Sequence, residues 1–367
     1  MVEPSSVVSK NGTIEVLRFI FAISIVGIHL YNVSDLSYFK YGHYGVEYFF
    51  LVGGLFMAYS IEKHLSESQT NPGKYAFEMI IRKIKRIYPY VILVTVLYIV
   101  FYAIPYRGFE ILALFQDAVN LIPYLVFANI TGLSDPTVMY LEVMWYLSAM
   151  FIAMLILAPI YIKYPDYSKR ILFPLGGCFI LGYLVLTLGT MTYSTEVYGG
   201  ISLGLLRAVG EMALGASCYS LATYLGKTYS LTTLGRITVL ILEITCFTIL
   251  MGFIGGNLYY LTPSSVVFLV IILVTLVYSG LTWNLKCGKV VAFLGNISLP
   301  LYLTHMLIIS SISLFFGSEW FCGRELLTFL MIIGLAIAVY AFVEHICPRI
   351  HSITGLFVIN DDSQNHK

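Results

Sequence analysis

The chain has 367 residues, of which 59% are hydrophobic and only 11% charged, less than half the charged share of soluble domains. That balance excludes a water-soluble globule, and a formal net charge of +1 argues against a nucleic-acid-binding surface. The apolar segments run to about 20 residues and lack the period-two alternation of barrel strands, so the expected fold is all-α: a polytopic membrane helix bundle. Six cysteines (Cys178, Cys218, Cys246, Cys287, Cys322 and Cys347) are scattered without paired spacing. The expectation is free thiols and no metal centre.

The first apolar segment, Ile14 to Asn32, carries two residues foreign to a bilayer, Arg18 and His29. An arginine at membrane depth costs about 2.5–3.5 kcal/mol on insertion scales, so something must offset it. Eleven steps of ~100° return to within about 20° of the same helix face, and eleven rises separate the two side chains by ~16 Å. One face of the helix thus carries a cation at one depth and an imidazole at another. The second segment, Gly45 to Ile61, has Glu47 near its start. A carboxylate at that depth is expected to meet His29, fix its tautomer and stabilise its protonated form, which is what a general base requires.

Lys63, Lys74, Arg82, Lys83, Lys85 and Arg86 lie between the second segment and the third, Ile87 to Tyr106. They read as a cytoplasmic loop by the positive-inside rule. Topology determination alone accounts for them; so does a cationic mouth for an anionic nucleotide, extended inward by Arg18. Residues 107–139 form the longest connection, and its apolar piece, Ile111 to Ile130, reads as an outer-face amphipathic or re-entrant helix. Further spans are expected at 140–162, 170–191, 200–224, 236–254, 261–280, 291–314 and 325–346, ten in all with both termini cytoplasmic. The charges support this orientation. Lys10, the six basic residues just named, Lys163, Lys169, Arg170, Lys227, Arg236, Lys286, Lys289, Arg349 and Lys367 fall inside, against Lys40, Arg107 and Arg324 outside. One transmembrane domain, 1–350, is expected, followed by a short polar tail, 351–367.

Within the later spans, Trp145, Tyr146 and Ser148 fit either an interfacial aromatic belt or a polar cavity. Arg207 and Glu211, four residues apart, are placed to neutralise each other. His29 and His305, the latter in SLPLYLTH, each read alone either as a polar residue bonding a neighbouring helix or as part of a site, and several such residues in one bundle interior point to a polar cavity.

These residues, in order, resemble the membrane acyltransferase-3 family of bacterial O-acetyltransferases over most of the chain. Arg18 and His29 resemble its arginine, ten residues, histidine motif; VEYFFLVGGLF from Val46 resembles its second-helix pattern. Lys83, Arg86, Ile87 and Pro89 resemble its R-x-x-R-I-x-P element, and Trp145 to Ser148 its WYLS. Arg207 with Gly215, and Ser298, Tyr302, Leu303 and His305, resemble its later R-x7-G and S-x3-YL-x-H elements. Lysine stands for the first arginine of the basic element, Glu47 for a commoner aspartate, and Gly53-Gly54 for serine-glycine.

The resemblance implies a multi-pass protein of the bacterial cytoplasmic membrane. It would move an acyl group, most often acetyl, from cytoplasmic acetyl-CoA to a hydroxyl of a glycan or lipid-linked saccharide. It implies CoA phosphates against Arg18, Arg82, Lys83, Lys85 and Arg86, and the acyl arm rising toward His29 and Glu47. The polar residues alone also fit a proton-coupled transporter or glycan flippase, or a non-catalytic partner in polysaccharide export.

Overall fold

The structure, a computed structural model, describes residues 11–346 apart from 35, 68–70, 109, 132–140, 142, 257–263, 280 and 283–287. The expected tail 351–367, the basic residues Lys10, Lys286, Arg349 and Lys367, and Cys287 and Cys347 lie outside the described residues.

Eleven long helices follow one another among the described residues: α1 (Gly12–Tyr31), α2 (Tyr44–Glu67), α3 (Pro72–Tyr98), α4 (Ile111–Leu125), α5 (Met144–Lys163), α6 (Phe173–Leu188), α7 (Leu203–Thr228), α8 (Thr233–Ile254), α9 (Ser264–Ser279), α10 (Lys289–Phe316) and α11 (Glu325–Ala341). Eight of these are long and apolar enough to cross a membrane. The two others of the ten expected spans are α9, only 16 residues long, and α7, which carries Arg207 and Glu211. The protein is an all-α polytopic bundle. Its one sheet among the described residues is the hairpin β1 (Val197–Tyr198) to β2 (Ile201–Ser202). Gly199 and Gly200 take φ of 58° and 80° in its two-residue turn, the left-handed pair that such a turn needs.

The helix expected between 111 and 130 is α4. Ile111, Leu112, Phe115, Val119 and Ile122 leave an apolar stripe exposed along it while Asp117 is buried, the pattern of a helix lying along a lipid surface.

The basic stretch is helix, not loop. Asn71 caps it, its side chain accepting from Gly73 N at 3.0 Å and Lys74 N at 3.3 Å, with Pro72 in the first turn. Glu78 then pairs with Lys74 and Arg82, each four residues away. A charged helical end needs no apolar residues because it projects beyond the lipid, so the hydropathy of the sequence places the start of this span fifteen residues late.

The helix that organises the bundle is α7, which packs on α2, α5, α6 and α9. Its crossing with α2 brings the two backbones together: a Cβ at Gly54 would strike the Met212 carbonyl, and one at Gly215 the Leu51 carbonyl. Glu47, Leu51 and Gly54 share one face of α2, so the contact made by the glycine turns the carboxylate toward α7. Arg207 Nε donates to Glu211 Oε1 at 2.8 Å, its Nη2 lies 3.6 Å from Glu47 Oε1, and its Nη1 donates to the Tyr193 carbonyl at 3.3 Å. All three charged residues are essentially inaccessible, at 1% exposure or less.

The expected meeting of Glu47 with His29 is therefore not formed, for a second reason as well. The chain after α1 folds back down its side, Phe39 packing at Gly27 and Gly42 at Ser24, so that α2 starts with Gly45 against the Phe21 carbonyl. Phe21 lies eight residues, or about 12 Å, down α1 from His29. The carboxylate enters the bundle two turns too deep.

Two outcomes test this core. Gly54→Ala forces the Met212 backbone to move and is expected to cost about 1–3 kcal/mol. Gly53→Ala, whose Cβ meets only the flexible tip of Met212 at 3.6 Å, is expected to leave the melting temperature in detergent unchanged. Arg207→Met leaves two buried carboxylates without their cation, a loss of about 3–5 kcal/mol for a broken buried pair. Adding Glu47→Gln and Glu211→Gln to it is expected to recover most of that melting temperature.

Candidate functional site

A cavity of about 560 Å³ runs between α1, α2, α3, α5 and α10. On α1 its wall extends from Asn11 to Ile25, fourteen rises, or about 21 Å along the helix axis. Its lower end, on the side that the charge bias assigns to the cytoplasm, holds Arg18, Lys83 and Arg86 together with Glu15 and Glu344. Three cations face two carboxylates there. Arg18 Nη1 lies 3.3 Å from Glu15 Oε2, and Tyr90 donates to Glu344 at 2.6 Å.

The helical form of the basic stretch decides which of its charges reach this space. Lys83, Arg86, Ile87 and Tyr90 recur at i, i+3, i+4 and i+7 and all line the cavity. Arg82 lies on the neighbouring face, over the Tyr75 ring and beside Glu78, where it lines a separate shallow pocket with Lys63 and His64. Lys85 is exposed and does not line the cavity.

The upper end is closed by Ile25, Val46, Tyr146 and Tyr302. The Tyr146 and Tyr302 rings meet edge to face at 5.6 Å, and Tyr302 donates to the Val143 carbonyl at 2.7 Å, which ties α10 to the start of α5. Ser298 also lines the cavity and donates to the Gly295 carbonyl. Ser148 is buried one turn into α5, hydrogen-bonded to Asn129, and Trp145 packs on Phe50. These two hold the wall from behind.

His29 stands one turn above Ile25 and His305 one turn above Tyr302, so both lie just beyond the closed end. Their rings face each other with centroids 4.9 Å apart. His305 is fully buried, its Nδ1 2.7 Å from the Tyr302 carbonyl oxygen. The packing of α1 on α10 fixes this meeting: Ala22, Val26 and Leu30 form one row on α1 against Leu301 and Ile309. Gly295 gives α10 the room to pass the Glu15 carboxylate lower down.

Of the residues singled out in the sequence, Arg18, Lys83, Arg86, Tyr146, Ser298 and Tyr302 therefore gather around one cavity, with His29 and His305 paired at its outer end. Glu47, Arg207 and Glu211 gather elsewhere, at the α2–α7 crossing. Glu15, Glu344 and Tyr90 escape notice in the sequence. Glu15 was legible as a second charge three residues before Arg18; Glu344 comes to the cavity only through the return of the last helix.

No curated protein and no solved structure matches the chain. Residues 11–343 match the profile of a family described as an acyltransferase domain, so that nearly the whole of this bundle, cavity and histidine pair included, is covered. The chain belongs to the acyltransferase 3 family of membrane acyltransferases.

Proposed function

We propose that the protein is an O-acyltransferase of the bacterial cytoplasmic membrane. It takes an acyl group, acetyl in the simplest case, from cytoplasmic acyl-CoA and passes it to a hydroxyl of a glycan or lipid-linked saccharide. The observation that carries this reading is the cavity itself, with cations at one end and an imidazole just past the other. A phosphorylated nucleotide would rest against Arg18, Lys83 and Arg86. Its thin thioester-bearing arm would rise between α1 and α10.

His29 acts as the general base. It takes the proton of the acceptor hydroxyl as the oxygen attacks the thioester carbonyl, and the departing thiolate of CoA receives a proton in turn. Because the cavity ends at Tyr146 and Tyr302, those two rings must part for the thioester to reach His29. This assigns them a positioning role at the point where the donor arm meets the acceptor.

The transport reading draws less support. Arg207, Glu47 and Glu211 are the groups from which an ion relay would be built, and they pair with one another off the cavity.

In liposomes supplied with labelled acetyl-CoA and candidate glycans, His29→Ala is expected to lower transfer by at least about 100-fold, the usual worth of a positioned base. Full activity of that variant overturns the assignment. Arg18→Ala, and Lys83→Ala with Arg86→Ala, are expected to raise the KM for acyl-CoA about tenfold each, with kcat at saturation changed little and with the effect shrinking as salt is raised. An unchanged KM would return the basic stretch to topology alone.

A further inference from the structure

His305 has a hydrogen-bonding state that the structure fixes. Its Nδ1 lies 2.7 Å from the Tyr302 carbonyl oxygen. A carbonyl only accepts, so Nδ1 carries the hydrogen. In a neutral imidazole the other nitrogen then bears a lone pair and no proton. That nitrogen, Nε2, is buried and has no hydrogen-bond partner among the described residues, a state that costs free energy unless something donates to it.

The aromatic ring nearest to the His305 ring is that of His29, 4.9 Å between centroids and tilted by 44°. The phenol ring of Tyr302 on α10 stands beside His305, 5.9 Å between centroids, and Tyr146 on α5 packs on Tyr302 in turn. The apolar cluster at the α1–α10 contact also takes in Phe49 from α2 and Ile332 and Ala336 from α11. The carboxylate that an imidazole base ordinarily uses to hold its second nitrogen, here Glu47, is committed to Arg207 about two turns away.

We propose that His305 is the positioning residue of His29: its Nε2 accepts the N–H of the His29 imidazole that is turned away from the reacting hydroxyl. This rests on the reading of His29 as the base and supplies what that reading lacks, an orienting partner. The protons balance. The hydroxyl proton moves to the bare nitrogen of His29, the opposite N–H stays on His29 and is shared with His305 Nε2, and the proton gained leaves His29 with the CoA thiol. His305 keeps its Nδ1 proton throughout because the Tyr302 carbonyl can hold nothing else. A neutral partner stabilises an imidazolium less than a carboxylate does, and so leaves the base easier to recycle within one turnover.

The test combines solid-state NMR of the ring-¹⁵N-histidine-labelled protein in liposomes with acyl-transfer kinetics across pH, for the wild type, His305→Phe, His305→Gln and His29→Gln. In the wild type, His305 is expected in the Nδ1–H form and His29 in a single tautomer. In His305→Phe the His29 signals are expected to report a mixture of tautomers. The same variant should lose about 100-fold in kcat with the KM for acyl-CoA within about twofold, and the acid limb of its kcat–pH profile should move to lower pH. His305→Gln, whose Oε1 can accept the same hydrogen bond, should restore the single tautomer and most of the kcat. An unchanged His29 tautomer in His305→Phe overturns the pairing, as does a loss of activity with an unmoved profile that glutamine does not rescue, since that is the signature of a structural role. Full transfer by His29→Gln would sink the reading of His29 as the base, while the tautomer of His29 in the two His305 variants still decides the pairing.

Discussion

Arg207 has almost no exposure and two carboxylates within reach, and the arrangement of the bundle follows from the need to keep it so. A guanidinium in an apolar interior is tolerated only where anions and hydrogen-bond acceptors converge on it. Glu211 comes from the next turn of the same helix, Glu47 from α2, and the Tyr193 carbonyl from the segment that precedes the β-hairpin. Bringing Glu47 close enough requires α2 and α7 to touch backbone to backbone, which Gly54 and Gly215 allow. The glycines and the ion cluster are thus one device, with the packing providing the distance and the charges fixing the register.

That device decides what α1 can do. With the polar face of α2 turned to α7, the side of α2 left for the cavity is Val46, Phe49, Val52, Gly53 and Phe56, which is apolar or featureless. The polar residues of α1 are answered from other helices instead. Arg18 looks to Glu15 and to a space shared with α3, while His29 looks to α10. The commitment of Glu47 to Arg207 leaves the α2 side of the cavity without a charge.

Much of this was legible in the sequence, and the reasons for what was not are specific. The helical class follows from composition because lipid leaves no other means of satisfying the backbone. The joint position of Arg18 and His29 follows from helical periodicity, and the cavity does extend from the first toward the second. The partner of His29 was misread because sequence order suggests depth only when a connection is short and runs along the surface. Residues 36–43 instead fold back down α1 and carry the start of α2 inward with them. The basic stretch was misread because hydropathy detects lipid-facing residues, and a helix that leaves the lipid gives no such signal. The caps that mark its true start, Asn71 and Pro72, were in plain view.

His305 illustrates a different limit. Its type and its place in a span mark it as a polar residue that needs a partner, and nothing in one-dimensional spacing says that the partner lies 276 positions earlier on another helix. The proposed pairing rests on the combination of a carbonyl that can only accept, a row of small and branched residues that sets the distance between α1 and α10, and a buried nitrogen left with its lone pair. The tyrosines one turn below have the complementary role. Tyr302 is joined to the cavity through its ring and to His305 through its carbonyl oxygen, so a movement of α10 that opens the aromatic closure also moves the group that fixes the tautomer of His305. The aromatic end of the cavity and the hydrogen bond of His305 are therefore joined through a single residue, by covalent geometry rather than by any distant signal.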